Sequence, residues 1–190
     1  MKRLQKIAII MFLLNKSKKI IEKHNQGFTL IEVLFVIGII SILSAVILTN
    51  LHDARGFGRD AKRLIDMKEI QNALEFYYDT NGRYPSSDTD GCGGWDIGNQ
   101  SYPFIRNGLV ESMPNPPEDA VATGNCSGYR YYRYSAGSSG CPVSKGAFYV
   151  LGVTDMESSA RPHSQSVGWS CPSRNWQNEM DWVTGRFERP

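Results

Sequence analysis

The sequence predicts an α+β protein: one long N-terminal helix, membrane-spanning in its first half and amphipathic in its second, packed on a small antiparallel β-sheet head. Three observations carry that prediction. Residues 28–48 hold a single ionisable group, Glu32. The following stretch keeps its apolar side chains at helical spacing up to about Asp79. Two later runs, "YRYYRYSA" and "GAFYVLGVT", concentrate aromatic and β-branched residues in the way paired strands do.

The first element is long enough for a bilayer. From Phe28 to Leu48, at 1.5 Å of rise per residue, a helix measures about 31 Å, the thickness of the hydrocarbon core. The flanking charge orients it. Residues 1–27 carry seven Lys or Arg against one acid, Glu22, whereas the rest of the chain has fourteen bases and eighteen acids. A basic head before the span keeps the N-terminus cytoplasmic and places the residues beyond about 50 on the far side. The mildly acidic remainder argues against nucleic acid as a default partner. A secretory signal peptide built on Ile7–Leu14 fits less well, because that run is followed by "NKSKK" and not by a small-residue cleavage site.

Glu32 is the anomaly in this run. An acid within a spanning helix costs about 2.5 to 3.5 kcal/mol even on a lenient insertion scale, so something must offset it. Snorkelling to the headgroups beside the positive end of the helix dipole is one answer. A cation at the same membrane depth is another: cleavage after Gly27 would create an ammonium on Phe28, one helical turn from the carboxylate. In a stack of such helices that ammonium would meet the Glu32 of a neighbour.

The string "QGFTLIEVLFVIGII" behind a basic leader resembles the class III signal and N-terminal helix of type IV pilins and type II secretion pseudopilins. The resemblance implies the following. A prepilin peptidase cuts between Gly27 and Phe28 and methylates the Phe28 nitrogen, and Glu32 sets the register of one subunit against the next. An inner-membrane assembly platform moves the subunit from the lipid bilayer into a homo-oligomeric or mixed filament with other pilin-like subunits. The chain then divides into a cleaved leader (1–27), a membrane and fibre-core helix (28–50), the amphipathic second half of that helix (51–80) and a globular head (81–190). Its location changes from single-pass inner-membrane protein with an extracytoplasmic head to extracellular filament or periplasmic pseudopilus. Two departures stand out: the leader is long and has its own apolar patch, and Thr49 stands where many relatives have a helix-bending proline.

The amphipathic half places Leu64, Met67, Ile70, Leu74, Tyr77 and Tyr78 on one broad face suited to covering a sheet, with Arg63 and Gln71 as intrusions. Ile65 and Phe76 share a different azimuth and are candidates for contact with neighbouring subunits. "TNGRYP" stops the helix, since Asn81 and Gly82 suit a left-handed cap and Pro85 cannot continue it. Gly56 and Gly58 are candidate weak points. From Phe28 to Asp79 one nearly continuous helix would be about 78 Å long.

Residues 80–128 read as turns and extended proline segments, with a short helix expected around Tyr102 to Leu109. The strands at 129–134 and 148–153 form an antiparallel pair. The "NGRYP" helix exit, proline-bearing loop and strand pair are similar in layout to major pseudopilins of type II secretion. Some of those relatives carry calcium after the strands; Asp155 and Glu157 are nearby acids here, but no matching ligand string accompanies them, so no metal or other cofactor is expected. The tail from Met156 onward gives no clear pattern.

The four cysteines, Cys92, Cys126, Cys141 and Cys171, read as two disulfides in an oxidising compartment. With the strands paired, Cys126 lies beyond one end of the ladder and Cys141 in the connecting loop. About 20 Å of strand then separates them, against the roughly 4.4 to 6.8 Å a disulfide allows. Two pairings stay open: Cys92 with Cys126 plus Cys141 with Cys171, or Cys92 with Cys141 plus Cys126 with Cys171.

Other patterns have plainer readings. The Tyr/Arg alternation over 129–134 suits a stacking platform for single-stranded nucleic acid, but more often marks a sheet with one face packed and one solvated. Trp169, Trp176 and Trp182 suit a carbohydrate surface, but more often anchor a tail to a small core. His24, His52 and His163 lie far from any evident nucleophile, "GSSG" at 137–140 lacks the setting of a nucleophile elbow, and the acid pairs Asp88/Asp90 and Glu118/Asp119 read as loop solvation. No enzyme is expected. The rival to a filament subunit is a membrane-anchored extracytoplasmic adhesin or binding domain that never polymerises.

Overall fold

A computed structural model describes residues 27–87, 92–99, 104–105, 109, 112–124, 126–158 and 161–189, without the side chains at 46, 48–50 and 52. The leader with His24, the His52 side chain, the Asp88/Asp90 pair and most of the helix expected around 102–109 lie outside the described residues. The chain divides into two units, residues 1–48 and 49–190. Helix α1, Leu30–Asn81, contributes to both.

In the first unit, α1 begins directly after Thr29, and its side chains are apolar nearly all round. Leu30, Phe35 and Ile42 are each more than 70% exposed. A helix hydrophobic on every side is stable only when lipid or other helices cover it. Among the described residues no helix is long and apolar enough to cross a membrane.

In the second unit, α1 lies on an antiparallel sheet. The sheet comprises β1 (Asp96–Gly98), β2 (Tyr129–Tyr134) and β3 (Phe148–Val153), followed after a small hairpin of β4 (Ser170–Cys171) and β5 (Arg174–Asn175) by β6 (Trp182–Phe187). The order across the main sheet is β1-β2-β3-β6. Tyr129 pairs with Val153 and Tyr134 with Phe148, so β2 and β3 match residue for residue. The strand β6 comes from the tail whose pattern was unreadable; it pairs with β3 from Phe187 opposite Phe148 to Trp182 opposite Val153.

The helix face expected to cover the sheet does so. Met67, Ile70 and Leu74 are fully buried against Tyr129, Tyr131, Tyr149, Leu151, Val153 and Trp182, with Leu64, Tyr77 and Tyr78 packed at the margin. Ile65 and Phe76 remain about 60% exposed. The helix runs unbroken through Gly56 and Gly58 and ends at Asn81. Gly82 takes the left-handed conformation (φ 68°), and its N–H reaches Tyr78 O at 2.7 Å, satisfying one of the last free carbonyls.

The opposite sheet face corrects the expectation of a solvated side. Trp95, Ile97, Phe148, Val150, Trp176, Met180 and Val183 form a second apolar cluster there, with Tyr132 and Tyr134 half-buried against it. The physical reason is the tail, which folds back over this face and carries Trp176 and Met180 into it. Trp176 is accordingly a core residue and Trp169 is half-buried on this face, while Trp182 is buried on the helix side. Arg174 already lies 5.1 Å from the Trp176 ring centroid and 5.9 Å from that of Tyr134, so these aromatics are occupied by the protein's own cation. Disulfides join Cys92 to Cys126 and Cys141 to Cys171, with Cα separations of 4.8 and 5.1 Å, the first of the two open pairings.

Candidate assembly site

Of the N-terminal residues singled out in the sequence, Glu32 lies in the first turn of α1 and bonds Thr29, whereas Gly27 and Phe28 precede the helix. Thr29 Oγ1 accepts from the Glu32 N–H at 3.3 Å. Glu32 Oε2 in return accepts from the Thr29 N–H at 2.9 Å and from its hydroxyl at 2.7 Å. This is a capping box, in which Thr29 caps the helix and the acid three residues on satisfies the cap's own amide. Such reciprocal bonding offsets part of the cost of the lone carboxylate and involves neither snorkelling nor an ammonium. The signal in the sequence is a Thr-x-x-Glu string immediately before an apolar run, in which the carboxylate serves the cap's amide as well as carrying charge. Gly27 has open space around its α-carbon, and Phe28 is 86% exposed, so nothing among the described residues covers the Gly27–Phe28 bond.

A second polar constellation was missed. Arg63, read as an intrusion on the packed face, is buried at the centre of three carboxylates. Its Nε donates to Asp119 Oδ2 at 2.8 Å and its NH1 to Asp60 Oδ1 at 2.7 Å and Glu157 Oε1 at 3.0 Å. Asp60 also accepts from the backbone N–H groups of Glu157 (3.0 Å) and Ser158 (2.7 Å) and from the Ser158 hydroxyl. Arg59 adds a further ion pair to Glu157. Asp119 is thus not a solvated loop acid: it is buried, its N–H bonds Gly98 O at 3.1 Å, and its Oδ1 accepts from Val121 N–H at 3.1 Å. Its role was illegible because its partner lies 56 residues away in the chain.

The electrostatics follow from this packing. Burial works against the Arg63 charge, but hydrogen bonds to Asp119 and Asp60 outweigh it and hold the guanidinium above its ordinary pKa. Burial likewise opposes the Asp60 charge, yet Ser158, two backbone amides and Arg63 hold the carboxyl below its usual range. The Glu157 carboxyl is lowered mainly by Arg59. The arrangement fastens the loop after β3 and the 119 loop onto α1, and its cation is supplied by the chain itself. Among the described residues no group of three or more His, Cys, Asp or Glu is placed to hold a metal ion.

A long helix with an uncovered apolar first half, an acid bonded to the cap at its start and a disulfide-bearing sheet head define an α+β protein of pilin-like arrangement. The family described as the prokaryotic N-terminal methylation motif matches residues 23–48. The chain is 34% identical over 67 residues to the type II secretion system core protein G of Aeromonas hydrophila, covering 35% of this chain and 47% of that protein. It is 28% identical over 100 residues to the protein of that name from Dickeya chrysanthemi, covering 50% and 65%. It is 38% identical over 65 residues to the type IV wide pilus major component PilA4 of Thermus thermophilus, covering 34% and 50%. The chain thus carries the prepilin-type motif of the type IV pilin and type II secretion pseudopilin family, and it spans about half the length of the curated relatives it matches. No solved structure matches it.

Proposed function

We propose that this protein is a structural subunit of a type IV pilus-like filament or type II secretion pseudopilus, not an enzyme. It enters the inner membrane through residues 28–50 with its head extracytoplasmic. A prepilin peptidase removes residues 1–27 and methylates Phe28, and the assembly platform lifts the subunit into a filament with like subunits. There the exposed apolar surface of residues 28–45 exchanges lipid for neighbouring helices, and Glu32 meets the Phe28 ammonium of an adjacent chain.

The observation that carries this reading is the pairing of the methylation motif with a helix start, residues 30–45, whose apolar side chains are exposed and whose one ionisable group is Glu32. The curated relatives, named as a type II secretion core protein and a type IV pilus component, support the same reading. The decisive experiment is mass spectrometry of the mature N-terminus in the native cell. An N-methylated Phe28 is expected, and Gly27→Leu should abolish it. A native polypeptide that retains residues 1–27 would overturn the proposal.

A further inference from the structure

The open edge of β6 is half filled by the chain's own tail and half empty, and the empty half opens into a cavity. Glu188 N–H bonds Ala147 O, so in the antiparallel ladder residues 182, 184 and 186 turn their backbone groups toward β3 and residues 183, 185 and 187 turn theirs outward. The chain satisfies the outward groups of Val183: its C=O accepts from Gly168 N–H at 3.0 Å, and its N–H donates to Ser166 Oγ at 3.0 Å. Among the described residues nothing fills those of Gly185 and Phe187.

A cavity of about 420 Å³ lies at this point. Trp169 and Phe187 line it from one side of the sheet, with ring centroids 5.1 Å apart. Tyr78 and Tyr84 line it from the helix side, so the cavity follows the strand edge and wraps both faces. Trp169 packs against Gly185, where a β-carbon would come within 2.4 Å of the indole, and its Nε1 is buried without a hydrogen-bond partner among the described residues. Three cations, Lys145, Arg186 and Arg189, and one acid, Glu188, line the opening, and Glu188 is neutralised by Arg133 at 2.7 Å. Arg186 pairs with Glu75 at 3.1 Å, whereas Lys145, 5.4 Å from the Phe187 ring centroid, and Arg189 have no ion pair among the described residues.

The geometry points to a binding site for an extended acidic peptide that adds a strand to β6 at Gly185 and Phe187. Main-chain bonds to those two residues supply affinity, alternate apolar side chains enter the aromatic cavity, and Lys145 and Arg189 select acidic partners. The same cations disfavour edge-to-edge pairing with a second copy of this strand, which would bring like charges together.

The test uses full-length protein in detergent and a capped heptapeptide of alternating Glu and Val. Saturable binding is expected, with slowed hydrogen exchange at the Gly185 and Phe187 amides. Methylating alternate peptide nitrogens should weaken binding at least about tenfold, and so should Lys145→Glu combined with Arg189→Glu, both surface changes. The proposal is overturned if the N-methylated peptide or a Lys/Val peptide binds equally well, or if the two amides gain no protection. Equal competition by an oligogalacturonate would also overturn it, since the site would then read charge and aromatic faces and not a peptide backbone.

Discussion

Arg63 Nε lies 2.8 Å from Asp119 Oδ2, and both side chains are at most 4% exposed. Removing one member of a buried charge pair leaves the other desolvated and unpaired, which typically costs about 3 to 5 kcal/mol. Arg63→Met should therefore lower the unfolding free energy of the full-length protein in detergent by about that amount. Arg63→Met with Asp119→Leu should lose less than the sum of the single changes. An additive double variant in denaturant titrations would show that the two side chains are not coupled.

Acid should loosen the same region. The Asp60 and Glu157 carboxyls titrate below their ordinary values of 3.8 and 4.5. A depressed carboxyl contributes stability that is complete above its unfolded-state pKa and is lost as pH falls through the folded-state value. The melting temperature should therefore fall as pH drops below about 4.5 and continue to fall toward the lower native values. In Asp60→Asn with Glu157→Gln this acid-dependent part of the decline should shrink, and an unchanged pH profile would remove these two groups from the account.

The elements that local pattern fixes were legible in the chain, and those fixed by distant contacts were not. The helix face at Met67, Ile70 and Leu74, the stop at Gly82 and the two strand segments 129–134 and 148–153 follow from patterns within single segments. Strand β6 was hidden because "WVTGRF" is short, carries Gly185 and lacks clean alternation; it becomes a strand by pairing with β3, in which every residue is buried. Strand β1 has only three residues, too few for any periodicity. At the candidate assembly site, the Thr29–Glu32 bond is written locally as Thr-x-x-Glu, whereas the Arg63 cluster joins three separated segments and leaves no local trace.

The disulfide between Cys141 and Cys171 closes a loop of 30 residues and pins the tail beside Trp176. Loop-closure entropy for that length is about 3.6 kcal/mol. Cys141→Ala with Cys171→Ala should lower the unfolding free energy by about 3 kcal/mol. It should also raise proteolysis of residues 161–180 ahead of β2 and β3, because β6 reaches the sheet only after this stretch has folded back. Uniform proteolysis across the head would show that the bridge does not act locally.

Glu32 has two separable duties, one visible in the capping box and one proposed for the filament. Glutamine at this position keeps an acceptor for the Thr29 amide, since Glu and Gln both serve in a capping box, but it carries no charge to attract an ammonium. Alanine removes both. If Glu32 acted only as a helix cap, Glu32→Gln would assemble normally and Glu32→Ala would lose about 1 kcal/mol of helix stability with partly reduced assembly. If the charge sets the register between subunits, Glu32→Gln should enter filaments as poorly as Glu32→Ala, although both are cleaved to Phe28 and inserted in the membrane. We expect the second result. Filament yield from sheared cells, measured alongside the mature N-terminus, distinguishes the two outcomes, and normal yield from Glu32→Gln would reduce this carboxylate to a cap.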